Sequence, residues 1–139
     1  MTTVKQKKIV EDLVYPELSY RLIGLLFKIH NKLGPNYQEK YYQRAIESEL
    51  KKQKISFERE KFVKLEYESE SIGKYFIDFV VDGKIALEIK TDEFFRRKYL
   101  QQVLAYLAAT NLKLAILVNF RSNRLYFKRI INPKVKLAD

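Results

Sequence analysis

Three ionisable residues interrupt two otherwise apolar runs: Asp78 within Tyr75–Val81, and Glu88 and Lys90 within Lys84–Lys90. A charge inside a strand of this kind is costly unless it is paired or binds a cation. Glu88 and Lys90 are two residues apart, so on a strand they share a face while Ile89 points to the other. A carboxylate joining them from the neighbouring strand would let two acidic groups reach one divalent cation. The competing reading is a buried Glu88–Lys90 ion pair with an unrelated Asp78 near a strand end.

Which reading holds depends on the turn at Asp82-Gly83, a strong hairpin signal. A two-residue loop pairs Val81 with Lys84 and leaves Asp78 opposite Leu87, on the wrong face. A three-residue loop, Val81-Asp82-Gly83, pairs Val80 with Lys84 and uses Gly83 in the left-handed conformation. Asp78 then lies opposite Ala86 and diagonal to Glu88, with Cβ atoms about 7–8 Å apart. The small Ala86 side chain leaves room between them, and oxygen-only ligands suit Mg²⁺ or Mn²⁺.

The flanking sequence indicates which elements carry this hairpin. Pro16 opens a helical pattern in which Leu18, Leu22, Leu25, Leu26, Ile29 and Leu33 recur at helical spacing, and Gly34-Pro35 stops it. A second helix places Glu39, Tyr42, Ile46 and Leu50 on one stripe. Alternation then predicts a strand through Val63, Leu65 and Tyr67, with a short one before it at Ile55 and Phe57 and a turn at Gly73. Residues 95–109 return to helical spacing with Leu100, Val103, Leu104 and Leu107 on the apolar face and Asn111 as a left-handed cap. Leu114–Val118 reads as a buried strand, and Leu125–Ile131 as a last one after a turn at Ser122-Asn123. The order α-α-β-β-β-α-β-β predicts an α/β fold, a mixed sheet flanked by helices. Residues 15–139 are expected to form one domain behind a flexible segment, 1–14.

Composition narrows the partners. The chain has 139 residues, 47% of them hydrophobic, enough for a core and too many for disorder. Cysteine is absent, which excludes disulfides and thiolate metal sites and suits a reducing, cytoplasmic compartment. No segment is long and apolar enough to span a bilayer. Lys and Arg number 27 against 17 Asp and Glu, a net charge of +10, which favours a polyanion: nucleic acid first, an anionic membrane surface second. A protein-interaction domain would leave that charge unexplained.

Asp78 followed by Glu88-Ile89-Lys90 resembles the D…(D/E)xK signature of the PD-(D/E)xK phosphodiesterase superfamily. From about Leu18 to Pro133 the chain is similar to the bacterial family named for its GxxExxY motif. The matching segments are Ile29–Pro35, Glu39 with Tyr42, the hairpin, and Gln102-Val103-Leu104-Ala105-Tyr106, which is similar to the QxxxY element of exonuclease-like branches. Two positions depart from the pattern: Asn36 replaces the glycine opening GxxExxY, and Ile77 replaces the proline of "PD". Asn tolerates unusual backbone angles, so the turn is expected to survive.

The resemblance implies a restriction-endonuclease-like core and a metal-dependent nuclease acting on DNA with little sequence specificity. It implies Asp78, Glu88 and the Ile89 carbonyl as ligands of Mg²⁺ or Mn²⁺, and Lys90 as the group that positions or deprotonates the attacking water. Glu39 is either the far end of an Asn36-x-x-Glu39 capping box or a further active-site carboxylate, and its core-facing stripe favours the latter. Tyr42 is expected to pack with its hydroxyl bonded. His30, the only histidine, lies on an apolar face, as a core histidine or as a metal ligand. Gln102 and Tyr106 share a helix face: Gln102 orients Lys90 or a phosphate, and Tyr106 contacts nucleic acid. Arg96, Arg97, Lys98, Arg121 and Arg124 become phosphate contacts if they flank the carboxylates. The expected partner is nucleic acid, DNA before RNA, with no membrane and with room for a homodimer. The alternative function is a nucleic-acid-binding module that keeps the nuclease fold with little or no activity.

Overall fold

The computed structural model describes residues 14–134. The chain folds as α1 (Pro16–Leu33), α2 (Glu39–Lys52), β1 (Phe57–Tyr67), β2 (Glu70–Val81), β3 (Ile85–Lys90), α3 (Arg97–Ala108), β4 (Leu114–Asn119) and β5 (Tyr126–Ile131). This is the expected α/β architecture and element order. The expected flexible segment falls on residues 1–13, which lie outside the described residues, apart from Val14. Val14 is buried, and its carbonyl accepts a hydrogen bond from Arg129 Nη2 at 2.7 Å, which ties the start of α1 to β5.

The five strands lie in the order β1-β2-β3-β4-β5, antiparallel except for the parallel β3–β4 pair that α3 connects. One face of the sheet carries α1 and α2, whose Leu22, Leu25, Leu26, Ile29, Tyr42, Ile46 and Leu50 pack on Phe79, Leu87, Ile89, Ile116 and Val118. Each such aliphatic side chain contributes about 1.5–3 kcal/mol by leaving water. The other face carries α3, whose Val103, Tyr106 and Leu107 pack on Val80, Ala86, Ala115 and Leu117. With helices on both sides, β3 and β4 are almost wholly apolar, so Glu88 is conspicuous within them. No helix among the described residues is long and apolar enough to cross a membrane.

Several local expectations need correction. β1 is one continuous strand that begins at Phe57, rather than two short ones. Glu39 opens α2 behind Gln38, and no side chain caps that end, so the Asn36–Glu39 capping box does not form. Leu104 is 45% exposed and Tyr106 takes the inward place on α3. Asn111 does not close that helix in the left-handed conformation, because Ala109 is the cap. Asn132, just after β5, donates to the Leu107 carbonyl at the helix end at 2.8 Å and to the Leu112 carbonyl beyond it at 3.0 Å.

Candidate active site

The β2–β3 hairpin has a three-residue loop, shifted by one from the expected frame. Asp82 and Gly83 take φ of 52° and 63°, the paired positive values that Asp-Gly favours, and Lys84 N–H donates to the Val81 carbonyl. Lys84 therefore joins the loop, and Val81 pairs with Ile85, Val80 with Ala86 and Phe79 with Leu87. This register aims Asp78 at Glu88 directly rather than diagonally. Ala86 lies opposite Val80 in the α3 core instead of making room beside the carboxylates.

Pairing between β2 and β3 stops at Phe79 and Leu87. Beyond that point β2 stays with β1 and β3 stays with β4, so the strands part and Asp78 and Glu88 sit at the fork. Phe79 packs under α1 and α2, yet Ile77 packs under α3, so the in–out alternation of β2 breaks at Asp78. β1 breaks with it: Glu60, between the paired residues Arg59 and Lys61, takes φ 49°. The bend turns Asp78 off both ladders and frees its amide and carboxylate for other partners.

Those partners are in β3. Asp78 N–H donates to Glu88 Oε1 at 3.0 Å, and Ile89 N–H donates to Asp78 Oδ2 at 2.8 Å. Each carboxylate is thus held by a backbone amide, Glu88 by that of Asp78 and Asp78 by that of Ile89. Glu88 is only 5% exposed, and burial followed by the Asp78 charge pushes its carboxyl up to about 8. Burial also raises Asp78, against the opposing pull of the Ile89 amide and the Lys90 charge. Glu39 enters from the start of α2 and is raised by burial and then by Asp78, with Lys90 opposing. Asp78 thus acts on two carboxyls, raising both Glu88, which its amide contacts, and the partly buried Glu39.

Lys90 lies within the field of all three but forms no ion pair with any of them; its Nζ stands 4.7 Å above the Tyr99 ring. The loop after β3 is latched around it. Asn119 donates to the Asp92 carbonyl at 2.8 Å and accepts from the Asp92 and Arg121 amides at 3.1 Å each. The Asp92 carboxylate accepts from Arg96 Nε at 2.6 Å and from the Tyr99 hydroxyl. Those two bonds hold Asp92 well below the usual carboxylate range.

The remaining expected residues divide. Gln102 lines an open groove of about 490 Å³ with Tyr75, Lys98, Gln101 and Tyr99, the ring on which Lys90 rests. Tyr106 is 1% exposed, too buried for the nucleic-acid contact expected of it; its hydroxyl has no hydrogen-bond partner and feels Glu88 and Asp78 instead. His30 is held elsewhere, its Nε2 2.8 Å from the Ser122 carbonyl and its ring against Phe120. Tyr42 stacks on Phe120 and donates to the Gly34 carbonyl. Arg97, Lys98, Arg121 and Arg124 are exposed, as is Arg96, which Asp92 engages. Asn119, Asp92, Tyr99 and Arg59 were not anticipated. A lone Asn closing the apolar run Leu114–Val118 was the signal available for Asn119.

Among the described residues no three His, Asp or Glu side chains stand close enough to hold a metal ion unaided. The Asp78–Glu88 pair nevertheless fits a hard divalent cation. Its donors are all oxygen, and the raised carboxyls mark a place short of positive charge.

The model of the PD-(D/E)XK nuclease superfamily matches residues 16–130, most of the chain and, but for the last residue of β5, all of the elements just described. The chain belongs to the PD-(D/E)XK nuclease superfamily. Members of this superfamily typically use divalent metal ions, and Asp78 and Glu88-Ile89-Lys90 fall within the matched residues. Among solved structures the PD-(D/E)XK chain is similar to the crystal structure of SSO0001, with a TM-score of 0.53 and 19% identity over 91% of its length. That likeness concerns the fold. The chain spans 62% of the length of SSO0001. No curated protein matches the chain.

Proposed function

We propose that this chain is a metal-dependent nuclease that hydrolyses phosphodiester bonds, with DNA as the first substrate, little sequence specificity and the cytoplasm as its compartment. The observation that carries the reading is the crossed Asp78–Glu88 arrangement at the β2–β3 fork, with an uncommitted Lys90 beside it. Asp78, Glu88 and the Ile89 carbonyl would hold Mg²⁺ or Mn²⁺, with Glu39 adding a further carboxylate. The Ile89 amide faces the fork, and a strand residue's carbonyl leaves on the same side as its amide. When bound, the cation lowers the pKa of a water and offsets phosphoryl charge.

The chain's own groups do the rest. Lys90 has no carboxylate partner to give up, so its ammonium is free to orient the attacking water or to steady a phosphate oxygen. Tyr99 limits its wandering by offering a ring face. Gln102 and Lys98, in the groove that Tyr99 lines, are suited to a substrate strand, and Arg97, Arg121 and Arg124 to more distant phosphates. The run from Ile29-His30-Asn31-Lys32-Leu33-Gly34-Pro35 through Glu39 and Tyr42 supports placement in the GxxExxY branch. The test is cleavage of single- and double-stranded DNA and RNA with Mg²⁺ or Mn²⁺, by wild type and Lys90→Met. The reading requires metal-dependent cleavage that Lys90→Met loses; the same cleavage by both proteins, or by neither, would refute it.

A further inference from the structure

Glu39 does not stand alone on α2. Gln43 and Glu47 follow it at four-residue intervals, which places all three on one helix stripe. Gln43 Nε2 donates to Glu39 Oε1 at 3.3 Å. Arg59, reaching over from β1, donates from Nη2 to Gln43 Oε1 at 3.0 Å and from Nη1 to Glu47 Oε2 at 3.3 Å. Its guanidinium lies 4.5 Å from the centre of the Phe79 ring, next in sequence to Asp78, and its charge reaches the Asp78 carboxyl.

The chemistry of this chain of groups permits one arrangement. A carboxylate only accepts and a guanidinium only donates, so an amide between them must present its nitrogen to Glu39 and its oxygen to Arg59. Flipping Gln43 loses both bonds. Arg59 cannot easily leave either, because its side chain is only 25% exposed and its guanidinium is held by Gln43, Glu47 and the Phe79 ring. Glu39, by contrast, has reason to leave. The Asp78 charge repels it, and an unrestrained glutamate on the first turn of a helix would swing to water.

We propose that Gln43 and Arg59 are positioning residues that hold the Glu39 carboxylate on the side of the Asp78–Glu88 pair, so that a cation held by the pair gains Glu39 as a further partner through a bridging water. The proposal rests on the metal-dependent reading above. It assigns α2 and the start of β1 a part in metal affinity that the signature residues do not supply.

The test is a calorimetric Mn²⁺ titration of the full-length protein alongside steady-state cleavage, using Gln43→Leu, Gln43→Asn, Glu39→Gln and the double variant Glu39→Gln/Gln43→Leu. Outer partners of metal ligands typically govern about 10–100-fold in affinity. Gln43→Leu should weaken Mn²⁺ binding about tenfold and lower kcat with KM for nucleic acid unchanged. Gln43→Asn, an amide too short to span Glu39 and Arg59, should do the same. In the Glu39→Gln background, Gln43→Leu should add nothing. Equal losses in both backgrounds would make Gln43 merely structural, and unchanged Mn²⁺ affinity in Gln43→Leu and Gln43→Asn would dispose of the proposal. A wild type that binds and cleaves beside unaffected variants would overturn this inference alone. One that neither binds Mn²⁺ nor cleaves would take the metal-dependent reading down with it.

Discussion

Asp78 and Glu88 meet one residue beyond the last β2–β3 pair, the Asp78 amide donating to Glu88 Oε1 at 3.0 Å while Asp78 Oδ2 accepts from the next residue, Ile89. The strand ladder has been exchanged here for bonds between side chain and backbone. An architectural ion pair would not need that exchange, since Lys90 is near and could neutralise Glu88 directly. Lys90 instead rests on Tyr99.

The first consequence is a pH dependence of stability. Glu88 holds its proton up to about pH 8 in the folded chain, against an ordinary value of 4.5, so its folded pKa is raised. A raised group contributes stability that is full below its unfolded value and is lost as pH rises through the folded one. Asp78 and Glu39 are raised too and act with the same sign. Urea unfolding of the metal-free protein should therefore give a stability that falls between about pH 5 and pH 8. Glu88→Gln should flatten that slope and be at least as stable as wild type at pH 8. A wild type that gains stability across this window would show that the carboxylates are paired rather than strained.

Metal should reverse the effect. A cation that binds the folded state alone adds stability by mass action, about 2.7 kcal/mol at a hundred times its Kd. Calorimetry at pH 8 should show Mg²⁺ or Mn²⁺ raising the Tm of wild type but not of Asp78→Asn or Glu88→Gln. A similar rise in all three proteins would place the ion elsewhere.

How far the sequence reached depends on the kind of contact. The charges inside apolar strands and the Asp82-Gly83 turn were enough to bring Asp78 and Glu88 to one place, because strand parity is local. The frame was off by one because Asp82 also adopts a positive φ and draws Lys84 into the loop. Face assignment on α3 exchanged Leu104 for Tyr106, since hydropathy ranks leucine first while a tyrosine ring filled the inward place. Arg59 was illegible: its partners Gln43 and Glu47 lie on a different element, and β1 was read as two strands with Arg59 between them.

The Asn119 latch makes a prediction about the loop that carries Asp92. Asn119→Ala removes three hydrogen bonds around a residue that is 3% exposed and leaves the Asp92 backbone groups without their partner. Such losses cost about 1–3 kcal/mol. Chemical unfolding should register that cost. Cleavage should fall further than stability explains, because Asp92 anchors the tyrosine beneath Lys90. Full activity in a destabilised Asn119→Ala protein would detach the latch from function.

Nucleic-acid binding should be strongly salt-dependent. Each phosphate neutralised on a duplex contributes about −0.9 to the slope of log K against log[salt]. With the inactive Glu88→Gln protein, fluorescence anisotropy at several salt concentrations should show Arg121→Gln/Arg124→Gln reducing that slope by about 2 if both residues meet phosphates. An unchanged slope would remove both arginines from the interface.

The central claim is that the Asp78–Glu88 pair is a divalent-cation site, and anomalous scattering from crystals grown with Mn²⁺ tests it most directly. The account predicts a peak within ligand distance, about 2.0–2.3 Å, of an Asp78 oxygen, a Glu88 oxygen and the Ile89 carbonyl, and no such peak in Glu88→Gln. Crystals of wild type at pH 8 with saturating Mn²⁺ and no peak at the fork, the Asp78 amide still bonded to Glu88, would contradict it.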